Sequence, residues 1–178
     1  MFYQLDPNKI TLDPKFRGMC KLPFYGHAYG CPNFGKKQGC PPHNFLEKDI
    51  LDFNRDLFLI YTRFDLAGFA SRIAERHPDW VKHPRMLVNP RQWQPSARKL
   101  HRQDISTFRQ YYPDMYVDES PESKGVNVSE LMKQVGITLS WDWPPKEIAN
   151  LSCRDLKDSK KVYTYRVSLA GYLIDSHH

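Results

Sequence analysis

The sequence predicts a single domain of the α/β or α+β class, with a mixed sheet and a long N-terminal loop that a metal holds in place. Three observations support this prediction. Patterns typical of strands and helices alternate through residues 46–178. Residues 1–45 contain six prolines and five glycines, which exclude long regular elements. Three cysteines fall within that same segment, and ligation can order a loop that has little apolar core.

We use the word body for residues 46–178. The first half of the body has clear periodic patterns. Residues 46–54 predict a short helix, and the apolar run at residues 57–64 predicts a buried strand. Residues 66–77 place their apolar side chains on one helical face, and Pro78 ends that helix. A second helix is predicted from Pro95 to about Tyr112.

The second half of the body begins with a short strand predicted at residues 115–117. A small helix over residues 127–135 follows, with Asn127 as its N-cap and Gly136 just beyond its end. Alternating residues at 137–141 predict a strand. Residues 162–174 predict one or two more strands.

The composition limits the compartment and the partners. No apolar run approaches the length of about 20 residues that a membrane span requires. The N-terminus shows no apolar core of a secretory leader, so we expect a cytoplasmic protein without a membrane partner. The net charge of +6 and the pI of about 9.1 favour anionic partners. In a reducing compartment disulfides are disfavoured, so the clustered cysteines point to a metal.

The three cysteines Cys20, Cys31 and Cys40 form the main candidate site. Two of them lie in a repeated Gly-Cys-Pro unit, at residues 30–32 and 39–41. Glycine before a ligand allows a sharp turn, and proline after it fixes φ and stiffens the chain. Cys-Pro also closes the ligand run of bacterial ferredoxins. We therefore predict that these three thiols bind a metal or a cluster.

The cofactor choice is between an iron–sulfur cluster and zinc. Zinc knuckles pair ligands two to four residues apart, whereas these cysteines have wider gaps. We therefore favour a [4Fe–4S] cluster and keep zinc as the alternative, held by Cys20, His27, Cys31 and Cys40. The fourth position of a cluster would go to His27, His43 or Cys153, or stay open to substrate. An open iron is a Lewis acid, so that version implies an enzyme.

A family resemblance adds to this interpretation. Residues 30–35 (Gly-Cys-Pro-Asn-Phe-Gly) and 40–42 (Cys-Pro-Pro) resemble the N-terminal motif of a domain-of-unknown-function family described as predicted metal-binding proteins. Residues 120–128 are similar to the second block of that family. The resemblance implies metal binding at Cys31 and Cys40, and less directly at Cys20. The number of cysteines is also similar to that in thiouracil and thiouridine desulfidases, where three cysteines hold a cluster whose open iron takes sulfur.

Two further constellations concern catalysis and anion binding. His101 and Asp104 fall on the apolar side of the second predicted helix, either as a satisfied polar pair or as a catalytic pair. Lys36 and Lys37 lie in the loop that contains the three cysteines (the cysteine loop), and Arg98 and Arg102 lie on that helix. These four basic residues would either bind an anionic small molecule or RNA, or form a solvated surface.

Three functional hypotheses follow from the sequence. The first is a cytosolic iron–sulfur protein, in one version an enzyme that acts on an anionic or nucleotide-like substrate. The second is a zinc-stabilised module that binds RNA or a protein partner. The third is an accessory subunit whose cluster transfers electrons or supports the fold.

Overall fold

The centre of the fold is a four-stranded sheet. The computed structural model describes residues 1–23, 27–141, 145–149 and 162–174. The strands lie in the order β1-β2-β4-β3 and are β1 (Phe2–Gln4), β2 (Leu57–Asp65), β3 (Tyr116–Asp118) and β4 (Tyr163–Gly171). β1 pairs antiparallel with β2, and β3 pairs antiparallel with β4. The sheet is antiparallel where a mixed sheet was expected.

The helices complete an α+β fold, which confirms the broad class that the sequence predicted. They are α1 (Leu66–Arg76), α2 (Pro84–Leu87), α3 (Pro90–Tyr111), α4 (Val128–Gln134) and α5 (Lys146–Ala149). Short 3-10 helices span Pro7–Lys9, Pro14–Lys21, Glu47–Asp49, Pro78–Lys82 and Pro121–Lys124. Within the described part of the chain, none of the helices combines the length and apolarity of a membrane span.

The chain divides into two compact units. The first unit comprises Met1–Tyr61, Asp104–Leu139 and Val167–His178, and the second comprises Thr62–Gln103 and Ser140–Arg166. Their bounds do not follow the boundary at residue 45 that the sequence suggested between loop and body. Each unit consists of segments that are far apart in sequence. The single-domain interpretation stays a prediction.

The core of the first unit is aromatic. Phe58 and Phe108 are buried, and their ring centroids lie 5.5 Å apart. Tyr112 lies 4.4 Å from Phe58 and stacks on Phe108 at 4.9 Å. Such offset pairs add stabilisation beyond the area they bury. These rings pack with Ile60, Ile105, Met115, Val117 and Ala170.

The second unit has its own core around Trp93. The Trp93 ring stacks on Phe64 with centroids 5.8 Å apart, and its Nε1–H donates to the Val88 carbonyl at 3.0 Å. Ala70 and Ala74 of α1 belong to the same cluster. Small residues on α1 therefore leave room for the large rings.

Several predicted elements are confirmed. β2, α1, β3 and β4 occupy the segments that the sequence assigned to them. α4 begins after Asn127, whose Oδ1 accepts the Glu130 N–H at 3.2 Å. Gly136 follows the helix with φ +74°, the left-handed conformation that favours glycine.

Four local expectations were wrong. Residues 46–54 form only a short 3-10 helix at Glu47–Asp49. Residues 137–141 form no strand. The irregular N-terminal segment includes the edge strand β1. α3 begins at Pro90 and not at Pro95, because Asn89 Oδ1 accepts the Arg91 N–H at 3.1 Å and so caps an earlier start.

Candidate metal centre

The first turn of the cysteine loop joins Cys20 to Cys31. The Cys31 N–H donates to the Cys20 carbonyl at 2.7 Å. Gly30 has φ +81°, and a Cβ there would lie 2.6 Å from the Cys20 carbonyl oxygen. Only glycine fits both the backbone angle and this close approach. The first Gly-Cys-Pro unit therefore has a structural reason for its glycine.

The second turn places Cys40. The Cys40 N–H donates to the Lys37 carbonyl at 3.0 Å, and the Gly35 N–H donates to the Pro41 carbonyl at 2.8 Å. Gly39 lacks a positive φ, and a Cβ there would meet nothing within 4 Å. The two Gly-Cys-Pro units are therefore alike in sequence but not in backbone conformation.

The Cys31 and Cys40 thiols lie close enough to Cys20 to influence its protonation. Cys20, Cys31 and Cys40 are all half-buried free thiols. Burial raises the pKa of the Cys20 thiol, and the negative charges of Cys31, Glu122 and Cys40 raise it further. Thiolates that repel one another in this way gain from a shared cation, because metal ligation requires deprotonated sulfur.

The side chains are not arranged for a single ion. Across residues 1–23, 27–141, 145–149 and 162–174, no three His, Cys, Asp or Glu side chains form a group that could hold one metal ion. The structure thus places Cys31 and Cys40 near Cys20 without forming a single-ion group among these described residues.

An open depression of about 600 Å³ lies against two of these cysteines. Its lining includes Cys20, Lys21, His27, Cys31, Phe34 and Lys36. The Lys21 Nζ lies 5.0 Å from the centroid of the Phe34 ring. This depression therefore combines thiols, positive charge and an aromatic face.

The three candidates for a fourth ligand differ in their surroundings. His27 lines the same depression as Cys20 and Cys31. The His43 Nε2 lies 3.2 Å from the Gly35 carbonyl oxygen, so this ring nitrogen is already engaged within the loop. Cys153 lies outside the described residues. His27 is therefore the candidate with the most direct geometric support.

The segment at residues 120–128 anchors the cysteine loop. The Asn44 Nδ2 donates to the Ser123 carbonyl at 3.0 Å, and the Asp13 N–H donates to the Gly125 carbonyl at 2.8 Å. Sequence reasoning did not single out Glu122. Its negative charge raises the pKa of the Cys20 thiol, and burial raises the pKa of the Glu122 carboxyl. Asp13 and Asn44, which flank the three cysteines in sequence, thus contact the second block of the family resemblance.

A buried charged trio, Glu47, Asp118 and Lys124, lies in the same unit. The Lys124 Nζ lies 2.5 Å from Asp118 Oδ1 and 3.9 Å from Glu47 Oε2. Burial, the Asp118 charge and a hydrogen bond with Asp118 raise the pKa of Glu47 to about 9, against the opposing effect of Lys124. Neither Glu47 oxygen has a hydrogen-bond donor, so the carboxylate form would be unsatisfied. Burial without a donor therefore favours the neutral carboxylic acid.

The weaker catalytic candidates each have a partner in the structure. His101 is buried, and its Nδ1 lies 2.8 Å from Thr62 Oγ1. The Asp104 Oδ1 lies 2.8 Å from the N-terminal ammonium of Met1. Both contacts match the satisfied-polar interpretation, and the catalytic assignment stays a prediction.

The basic residues predicted to bind one anion belong to different units. Lys36 and Lys37 lie in the first unit, where Lys36 lines the depression beside the cysteines. Arg98 and Arg102 are exposed on the part of α3 that belongs to the second unit. Lys21, which the sequence did not single out, lines the depression instead. The available signal for Lys21 was its position directly after Cys20, a predicted ligand.

Comparison with known proteins adds no relative: no family model, curated protein or solved structure matches the chain. The suspected family resemblance therefore stays a prediction.

Proposed function

We propose that this protein is a cytosolic iron–sulfur protein in which Cys20, Cys31 and Cys40 hold a [4Fe–4S] cluster. The observation that carries the proposal is that one loop brings the Cys31 and Cys40 thiols close enough to Cys20 to influence its protonation. Backbone hydrogen bonds at Cys31 and Cys40 fix the loop on both sides. Three cysteines leave one iron for another ligand or for substrate.

The spacing of the three cysteines in sequence supports a cluster over a single ion. A tetrahedral zinc site needs four ligands within about 2.0–2.3 Å of one point. No such group exists among the described residues, so zinc would require the loop to contract. A four-iron cluster is a larger body, and its ligands lie farther apart. We therefore rank the cluster first.

The depression beside the thiols supports an anionic or nucleotide-like substrate. Lys21 and Lys36 supply positive charge, and Phe34 supplies a ring face for a planar group. When bound, a cluster with an open iron supplies a Lewis acid at this depression. The residues of this chain would orient the substrate, with Lys21 and Lys36 on its anionic group. This arrangement favours an enzyme over a structural or electron-transfer subunit.

The decisive experiment is anaerobic purification followed by measurement of iron, sulfide and zinc. We expect a brown protein with about four irons and four sulfides per chain. Cys31→Ser and Cys40→Ser should each remove the cluster, whereas Cys153→Ala serves as a matched control that keeps it. A colourless wild-type protein without iron after reconstitution would contradict the proposal. Cluster loss in Cys153→Ala would instead indicate complete cysteine ligation and an electron-transfer or structural role.

Zinc remains a second candidate, and one observation favours it. His27 lines the same depression as Cys20 and Cys31, which suits a site with three cysteines and one histidine. In that case the protein would be a zinc-stabilised module that binds RNA or another protein. Purified protein would then contain one zinc per chain and no sulfide, and His27→Ala would release the zinc.

A further inference from the structure

The positive charge of the chain is concentrated in the second unit. That unit contains fifteen lysine and arginine residues against seven aspartate and glutamate residues. The first unit contains eleven against thirteen, so the net charge of +6 comes entirely from the second. Such segregation is unnecessary for solubility and favours a polyanionic partner.

The described segment Thr62–Gln103 places this charge on the surface. It contains nine lysine and arginine residues and three acidic residues, and all nine basic residues are exposed. Even if each acidic residue paired with one cation, six cations would remain to face solvent. Seven of the nine are arginines, whose planar guanidinium groups bind phosphate with two parallel hydrogen bonds.

Three of these arginines form a line along α3. Arg91, Arg98 and Arg102 are separated by seven and four residues, spacings that return to the same side of an α-helix. At 1.5 Å per residue they span about 17 Å along the helix axis. Arg91 joins this line only because α3 begins at Pro90.

Gln94 and the exposed Pro95 lie between Arg91 and Arg98 on this face of α3. The Arg98 Nη2 donates to Gln94 Oε1 at 3.1 Å, which orients the guanidinium along the helix surface. Leu100, the exposed leucine of this helix, is separated from all three arginines by spacings that place it on the opposite side. A membrane-binding helix would need apolar side chains next to its cations. The face therefore fits a charged chain better than a lipid surface.

We propose that the α3 face formed by Arg91, Arg98 and Arg102 binds a single-stranded polynucleotide through its phosphodiester backbone. Each guanidinium group would bind a backbone phosphate through two parallel hydrogen bonds. Arginine also stacks on unpaired bases, which favours a single strand over a duplex. The surface consists of residues of the second unit alone, and the proposal is independent of any cofactor at the cysteines.

Fluorescence polarisation with labelled single-stranded RNA and DNA of about 20 nucleotides tests this proposal. We expect binding whose logarithmic affinity falls linearly with the logarithm of the salt concentration. The triple variant Arg91→Gln, Arg98→Gln, Arg102→Gln should bind more weakly at low salt, with a slope shallower by about 2. Should the triple variant fail to fold by circular dichroism, Arg98→Gln alone should reduce the slope by about 0.7.

The matched control removes the same charge from the first unit. Lys9→Gln, Lys15→Gln and Lys133→Gln replace three exposed lysines that pair with Asp6, Asp13 and Glu130. This variant should keep the wild-type salt slope. The proposal is overturned if the wild type does not bind either oligonucleotide at low salt, or if both triple variants lose affinity equally. Binding to anionic lipid vesicles as tight as to RNA would also overturn it.

Discussion

The cysteine loop and the aromatic core of the first unit are ordered by different forces. In the core, Phe58 and Phe108 are buried, and their positions follow from the packing of rings. In the loop, Cys20, Cys31 and Cys40 are only half-buried, and backbone hydrogen bonds and turns set their positions. Burial fixes side chains directly, whereas turns fix the backbone and leave the thiols to a ligand.

The contacts at residues 120–128 explain how a loop with little apolar burial is attached. Asn44 and Asp13 make polar contacts with this segment, which also contains Lys124 of the buried charged trio. Polar attachments of this kind tolerate no loss of a partner, because a buried group that loses its partner keeps its desolvation cost. Substitutions in the two regions should therefore differ in mechanism as well as in size.

The largest effect is expected for Phe108→Ala in the aromatic core. Phe108 has no exposed surface and contacts the rings of Phe2, Phe58 and Tyr112. Its truncation should lower the free energy of unfolding by about 4 kcal/mol, measured by urea denaturation. The matched control is Tyr111→Ala, three positions later on the same helix but 67% exposed. A loss of equal size in both variants would show that ring burial does not order this core.

The second effect is expected for Lys124→Met in the charged trio. Without the ammonium, Asp118 keeps a buried charge with no cation beside it. We expect a loss of about 3 kcal/mol, the low end of the range for a broken buried pair. Lys133→Met is the control, since the Lys133 Nζ makes a 2.9 Å ion pair with Glu130 at the surface. That pair should contribute less than about 1 kcal/mol. Equal losses in the two variants would contradict a special role for the buried trio.

The elements that the sequence predicted correctly are those with local signals. α4 could be recognised because Asn127 and Gly136 lie at its own ends. β2 and β4 could be recognised from their apolar runs. The start of α3 was placed at Pro95, although Asn89 and Pro90 carry the same kind of start signal one turn earlier. The helix continues through Pro95 because Trp93 and Ala97 pack in the core of the second unit.

The parts that could not be predicted depend on distant contacts. Glu122 is about a hundred residues from Cys20 in sequence, so no local pattern relates its carboxylate to that thiol. The charged trio likewise joins Glu47 to Asp118 and Lys124 across the chain. The three cysteines could be named from their spacing and their flanking residues. The sequence could not show which glycine needs a positive φ, because Gly30 and Gly39 each begin an identical Gly-Cys-Pro unit.

The third effect tests the backbone of the loop through these two glycines. Gly30→Ala should destabilise the loop by about 2 kcal/mol, because alanine disfavours φ +81° and its Cβ would lie 2.6 Å from the Cys20 carbonyl oxygen. Gly39→Ala is the control, with no atom within 4 Å of the added Cβ. Hydrogen exchange of the Cys31 amide reports on the loop separately from global unfolding. Faster exchange in both variants, or in neither, would contradict this account.

The smallest effect is expected for Glu47→Gln, which removes the ionisable carboxyl group of Glu47 but keeps the size of its side chain. Because its pKa is about 9, Glu47 is a neutral acid at pH 7, and glutamine keeps its size and a hydrogen-bond donor. Below pH 4.5, where Glu47 is protonated in both states of the wild type, we expect a loss of less than about 1 kcal/mol. At pH 7 the variant should be no less stable than wild type, because it holds no proton that the unfolded chain releases.

The pH dependence distinguishes this account of Glu47 from simple tolerance of the substitution. The folded state keeps a proton on Glu47 that the unfolded chain loses above its ordinary pKa of 4.5. Its contribution to stability is therefore complete below pH 4.5 and declines as pH rises toward about 9. Glu47→Gln has no proton to lose there, so wild type should lose stability relative to the variant between these limits. Urea denaturation of both proteins at several pH values measures the difference. Parallel stability curves would mean that Glu47 is already ionised in the folded protein, and that Lys124 outweighs burial and Asp118.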